Sequence, residues 1–237
     1  MPPSQPADGQ ADRASVLAGI GGRLRQARTE VGISARELAR KAGVSVSLVS
    51  QIENGKARPS VASLYALVQH LNLTVDELFE PAGAKRDDAD RPVQPKVGRA
   101  FSANGGPAAP GEVAVPQKLI SAALVQLGET RGTLKLEGGI TWERLTPRDV
   151  PGADFLKITY DVGGASCPEG LRQTHPGHEF GYLLSGRLGV TVGFDTSEIG
   201  PGDSVYFDST TPHRLFNAGD EPAVGVWMVH APFREAR

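Results

Sequence analysis

Residues 33–60, ISARELARKAGVSVSLVSQIENGKARPS, leave the backbone few choices. Ser34 stands three positions before Glu37, so hydroxyl and carboxylate can cap each other's free backbone donors, and a helix starts there. Leu38 and Ala39 give that helix an apolar stripe, and Gly43 stands where a helix end calls for positive φ. The helix is therefore short. Ser45 is the N-cap expected of a second helix, with Leu48, Val49 and Ile52 on its buried face and Val46, Ser47, Ser50 and Gln51 on the other. Asn54-Gly55 ends it, and the outward side chains become candidate readers of a nucleic-acid groove.

The flanking residues extend the pattern. Pro59-Ser60 opens SVASLYALVQHLNL, with Leu64, Leu67, Val68 and Leu71 at helical spacing. Asn72 breaks this run, and Thr74-Val-Asp-Glu-Leu-Phe predicts a fifth helix. Upstream, Ile20 to Val31 carries Leu24, Ala27 and Val31 on one face. At ELARKAGVSVSLVSQIENGKARPS the chain closely resembles the lambda-repressor-like helix-turn-helix family, also called XRE. The resemblance implies a five-helix domain over residues 15–81 that binds double-stranded operator DNA, with Ser45 to Glu53 as the recognition helix in the major groove. Ser45, Val46, Ser47, Ser50 and Gln51 match the family's DNA-facing positions. Ala35 departs from the pattern, replacing a frequent glutamine, and Arg28 with Glu53 falls where the fold holds a structural ion pair.

Charge supports this reading. Arg13 to His70 holds nine Lys or Arg against three Glu, whereas the whole chain has 25 basic and 27 acidic residues. A local basic excess can release counterions from phosphates without making the whole molecule adhere to nucleic acid. Lys56, Arg58, Lys41 and Arg25 are the phosphate candidates.

A single cysteine, Cys167, excludes an internal disulfide framework, and residues 1–14 lack the apolar core of a signal peptide. A cytoplasmic protein that makes no use of a membrane is expected. Residues 1–14 are expected to form a disordered N-terminal tail. Residues 82–132, rich in Pro, Gly, Ala and mixed charge, have linker composition. Within them KLISAALVQL is too short to be a stable helix alone, and the role of residues 116–127 stays open.

From Thr133 to residue 233 the chain switches to TLKLEGG, ITWERL, DFLKITYDVGG, EFGYLLSGRLGVTVGF, SEIGPGDSVYF and PAVGVWMVH. Short β-branched and aromatic runs bounded by turn residues indicate an all-β sandwich or barrel, so the chain as a whole is a two-domain α + β protein. Within it, QTHPGHEFGYLLSGRLGVTV and PGDSVYFDSTTPHRLFN resemble the two motifs of the cupin superfamily, a double-stranded β-helix barrel. His175, Glu179 and Gly186 match the first motif, and His213 and Asn217 the second. Gln173 occupies the position of a usual histidine. The resemblance covers roughly residues 138–232.

It implies that strands turn His175, Glu179 and His213 toward one point, a two-histidine, one-carboxylate face suited to Fe, Mn, Ni or Zn, with Gln173 as a weak fourth ligand. The same residues could instead hydrogen-bond inside a metal-free ligand pocket. Tyr160, Tyr182, Phe207 and Trp227 are the pocket candidates, with Met228 beside them. His178 is expected on the turn surface, and Arg187 and Arg214 as strand-edge charges.

The combined resemblance, to XRE regulators with a cupin domain, implies a homodimeric transcriptional regulator that senses a small-molecule effector and is not an enzyme. A similar arrangement occurs in the iron-dependent epoxidase acting on hydroxypropylphosphonate. That makes a cupin oxygenase or epoxidase carrying a helix-turn-helix domain the alternative.

Overall fold

A computed structural model of the chain describes residues 8–71, 73–79 and 124–231. Among the described residues the N-terminal unit has four α-helices: α1 (Asp8–Val31), α2 (Ala35–Ala42), α3 (Val46–Glu53) and α4 (Val61–Val68). The expected fifth helix is a single 3-10 turn, Asp76–Phe79. Thr74 does form the start signal, donating its N–H to the Glu77 carboxylate at 2.7 Å. The described residues of this segment end with the turn, at Phe79. The first helix begins at Asp8, inside the stretch expected as a tail. Residues 118–123 of KLISAALVQL lie outside the described residues.

Each short helix is bounded as its sequence requires. Ser34, Ser45 and Ser60 accept from the N–H groups of Glu37, Leu48 and Ser63 at 3.1, 3.0 and 3.1 Å. Gly43 ends α2 at φ 67°, in the left-handed region where a Cβ would be strained. The helices share a core of Ile20, Leu24, Ala27, Leu38, Val49, Ile52, Leu64 and Leu67. α1 crosses α3 closely because residue 21 is glycine: a Cβ there would strike the Ile52 carbonyl oxygen.

The C-terminal unit is built from β1 (Thr133–Leu136), β2 (Ile140–Arg144), β3 (Ala153–Tyr160), β4 (His178–Ser185), β5 (Leu188–Val192), β6 (Asp195–Ile199), β7 (Ser204–Asp208), β8 (His213–Asn217) and β9 (Ala223–His230). They form two antiparallel sheets, ordered β1-β2-β3-β9-β4-β7 and β6-β5-β8. Alternate residues point inward: Leu156, Ile158 and Tyr160 of β3 and Ala223, Trp227 and Val229 of β9 are buried. The outer face of the larger sheet carries a row of half-buried and exposed apolar side chains. Phe155, Met228, Phe180 and Tyr206 are register partners across β3, β9, β4 and β7.

The two units pack against each other. The Glu137 N–H donates to the Pro59 carbonyl at 2.9 Å, Arg144 lies 3.9 Å from the Asp76 carboxylate, and Tyr65 of α4 packs against Trp142 of β2 with ring centroids 6.0 Å apart.

Candidate functional site

Glu179 is the second residue of β4, opposite Phe207 of β7 and Val229 of β9, and the pleat turns its side chain inward. His213 opens β8 and forms a two-bond antiparallel bridge with Gln173, so both side chains leave the same face. His175 lies in the loop before β4, its N–H donated to the Ser209 carbonyl at 3.0 Å. The sequence spacing therefore assembles in space: Gln173, His175, Glu179 and His213 are all buried, and one ligand atom from each of the last three lies within 4.8 Å of the others.

The surrounding bonds decide what this cluster can hold. His213 Nδ1 lies 2.9 Å from the Thr211 carbonyl oxygen, which only accepts, so Nδ1 carries the proton and Nε2 presents a lone pair. His175 Nδ1 faces the Pro176 carbonyl in the same sense, at 3.4 Å. Trp227 donates its indole N–H to Glu179 Oε2 at 2.7 Å, leaving Oε1 to face the imidazoles. Oε1 is 2.9 Å from His175 Nε2 and 3.1 Å from His213 Nε2. Even so, His175 Nε2 and Glu179 Oε1 remain buried without a hydrogen bond of acceptable angle. Electron pairs converging in this way, each backed by an outer partner, fit a divalent cation.

Charge has the same sense. Burial raises the Glu179 carboxyl, but in the metal-free state in which His175 and His213 carry protons on Nε2, their hydrogen bonds and positive charge outweigh it and hold the group at about 2. Gln173 places its amide nitrogen 3.1 Å from His213 Nε2 while its oxygen is buried without a partner. Exchanging the two amide atoms, which are interchangeable in shape, would direct the oxygen to the cluster as a fourth ligand. With a cation in place, His175, Glu179, His213 and the rotated Gln173 would hold it, and it would supply positive charge and open positions for an anionic ligand.

The pocket candidates divide. Phe207 packs against the His213 ring at 5.0 Å, Trp227 orients Glu179, and Tyr160 is buried nearby, where burial pushes its hydroxyl well above the usual range. Tyr182 is three residues from Glu179 on the same strand, hence on the opposite face, and is 48% exposed; it does not reach the site. Met228 shares the outward parity. His178 lies by the sheet exterior against Tyr206, Arg187 meets Glu198, and Arg214 donates to the Cys167 carbonyl. Asn217 bonds the Tyr160 and Glu221 carbonyls and the Gly219 N–H, so its part is structural. Sequence reasoning missed Tyr65, whose ring stacks on His175 with centroids 3.9 Å apart and planes at 13°. The available signal was a surplus of apolar width on α4, where Val61, Leu64, Tyr65, Leu67 and Val68 are all buried.

On the helical unit, α3 buries Val49 and Ile52 and exposes Ser45, Val46, Ser47, Ser50 and Gln51. The Gln51 amide nitrogen donates to Ser47 Oγ at 3.4 Å, a loose contact that a base edge could replace. Ser45 is committed to the cap and Ser50 accepts from Asn54, so their hydroxyls are partly occupied. Lys56 is exposed and Arg58 half-buried just beyond α3, Arg25 is exposed on α1, and Lys41 is paired with Glu37 at 3.7 Å. Arg28 is a strut: its guanidinium grips both Glu53 oxygens, at 2.6 and 2.9 Å, and donates to the Ile33 carbonyl.

Comparison with known proteins agrees with both halves. The helix-turn-helix family matches residues 24–78 and the cupin domain family residues 156–229. The HTH-type transcriptional regulator PuuR of Escherichia coli is 24% identical over 197 residues, 83% of this chain and 86% of that protein. An uncharacterized HTH-type transcriptional regulator of Archaeoglobus fulgidus is 33% identical over 57 residues, 24% of this chain and 81% of that protein. The solved structure of an HTH_3 family transcriptional regulator from Vibrio cholerae shares the fold, with a TM-score of 0.58 at 20% identity, covering 93% of this chain and 99% of that one. Among the described residues no helix is long and apolar enough to cross a membrane. With a set of short capped helices in front and a two-sheet barrel behind, the chain belongs to the helix-turn-helix transcriptional regulators of the XRE type that carry a cupin domain.

Proposed function

We propose that the chain binds operator DNA as a homodimer through Val46, Ser47, Ser50 and Gln51 of α3, positioned by phosphate contacts from Lys56 and Arg58, and that a divalent cation held in the barrel completes the site of a small effector. The observation that carries the sensing half is the convergence of His175, Glu179 and His213, with buried lone pairs aimed at one another and each ligand backed by an outer bond. Such a site with a divalent ion has one net positive charge, two neutral imidazoles and one carboxylate included, and so favours an anionic effector. Pairing of two copies through the Phe155, Met228, Phe180 and Tyr206 row would cover exposed apolar surface.

The test is recovery of genomic fragments by purified full-length protein. An inverted repeat, with half-site centres about 34 Å or a multiple of it apart, is expected. Fragments sharing no motif would remove the operator-binding reading.

A further inference from the structure

Tyr65 belongs to the DNA-binding unit by sequence and to the barrel by contact. It lies on α4, yet its ring is held between His175, stacked at 3.9 Å, and Trp142 of β2 at 6.0 Å. It is 8% exposed, and its hydroxyl is buried without a hydrogen-bond partner. Its neighbours Leu64 and Leu67 face the helical core, so α4 is packed on two sides at once. α4 leads back through residues 54–60, which include Lys56 and Arg58, to the recognition helix.

We propose that Tyr65 is a wall of the barrel's ion site, contributed by the DNA-binding unit, and that α4 senses occupancy of that site through the Tyr65–His175 stack. The inference rests on the proposed ion site. A cation drawing on His175 Nε2 fixes that imidazole and leaves it electron-poor, and an electron-poor ring stacks better on the electron-rich phenol. The unpartnered hydroxyl opposes this, because its burial without an acceptor disfavours the docked arrangement. The contact is thus poised, and an event at His175 can shift it. Linkage requires reciprocity: if ion binding strengthens the docking of α4 by some factor, docking strengthens ion binding by the same factor.

Cobalt(II) alone, added to the full-length protein, tests this. Its visible absorption reports histidine ligation independently of α4, and amide hydrogen exchange over Val61–Val68 reports docking. Exchange on α4 is expected to slow roughly fivefold or more when cobalt binds the wild-type protein and the Tyr65→Phe variant, which keeps the ring. Tyr65→Leu, which keeps apolar volume but loses the stack, should bind cobalt more weakly by the same factor and show no slowing. An α4 indifferent to bound cobalt in the wild-type protein, which needs no variant to be measured, overturns the inference and leaves the ion site standing. So does a Tyr65→Leu protein that responds like wild type. Absence of the cobalt absorption removes the ion site, and the inference with it.

Discussion

Glu179 has two oxygens with different duties, and Trp227 separates them. The indole N–H holds Oε2 at 2.7 Å, so Oε1 cannot rotate away from the imidazoles. Trp227 in turn lies over Gly181, where a Cβ would collide with its ring. Trp227→Phe keeps an aromatic ring and removes the donor, and should weaken divalent-ion affinity by about 10–100-fold, as loss of an outer-shell bond commonly does. Calorimetric titration of zinc or cobalt into both proteins measures it; unchanged affinity would exclude the orienting role. At this scale His175, Glu179 and His213 were legible because they match the spacing of the cupin motifs, and strand parity turns Glu179 and His213 inward. Tyr182 was misplaced although the same parity argument, applied to its odd offset from Glu179, excludes it. Tyr65 was not legible, because an apolar position on a helix carries no mark of which neighbour will cover it.

The short helices are stable as a set through their boundaries and through one cross-link. Serine caps and Gly43 fix where α2, α3 and α4 begin and where α2 ends, and these signals are local enough to be read from sequence. The 3-10 turn at Asp76–Phe79 shows the limit of that reading, since a sound start signal specifies neither helix type nor length. The cross-link is Arg28 to Glu53, joining α1 to the end of α3, with the guanidinium and carboxylate only 15% and 7% exposed. Lysine cannot reproduce a grip on two oxygens and a carbonyl. Arg28→Lys should therefore destabilise the helical unit by about 1–3 kcal/mol, and Arg28→Ala, which strands a buried carboxylate, by about 3–5 kcal/mol. Urea denaturation followed by circular dichroism checks the order. If both variants matched wild type, Arg28 would be a phosphate contact, and its loss would appear in DNA affinity alone.

Across the whole molecule the two units meet at a buried acidic knot. Asp76 of the 3-10 turn faces Arg144 at 3.9 Å, and burial, opposed by Arg144 and assisted by Asp154 and Asp149, drives its carboxyl upward. Burial and then Asp149 raise Asp154 to about 7. An unfolded aspartate titrates near about 4, so the folded chain binds more protons between roughly pH 4 and 7, and stability falls as pH rises through that window. Asp154→Asn removes this group's share of the slope. Between pH 5 and pH 8 the wild type should lose on the order of 1–2 kcal/mol more than the variant in denaturant titrations, and parallel curves would contradict the assignment. Division into a helical and an all-β unit was evident from the change of hydrophobic period, whereas their mutual packing was not, since no local pattern encodes a contact between Asp76 and Arg144. The barrel site is proposed to govern a sequence-reading helix pair. This control is tested most directly by fluorescence anisotropy of a selected operator duplex with full-length protein, across salt concentrations and with and without a divalent ion. Selective affinity is expected that falls steeply with salt, shifts when the ion binds, and is lost in the double variant Ser47→Ala, Gln51→Ala while the barrel stays folded. Equal affinity for operator and scrambled duplex, with Fe(II)-loaded protein consuming oxygen, would contradict it and favour the enzyme.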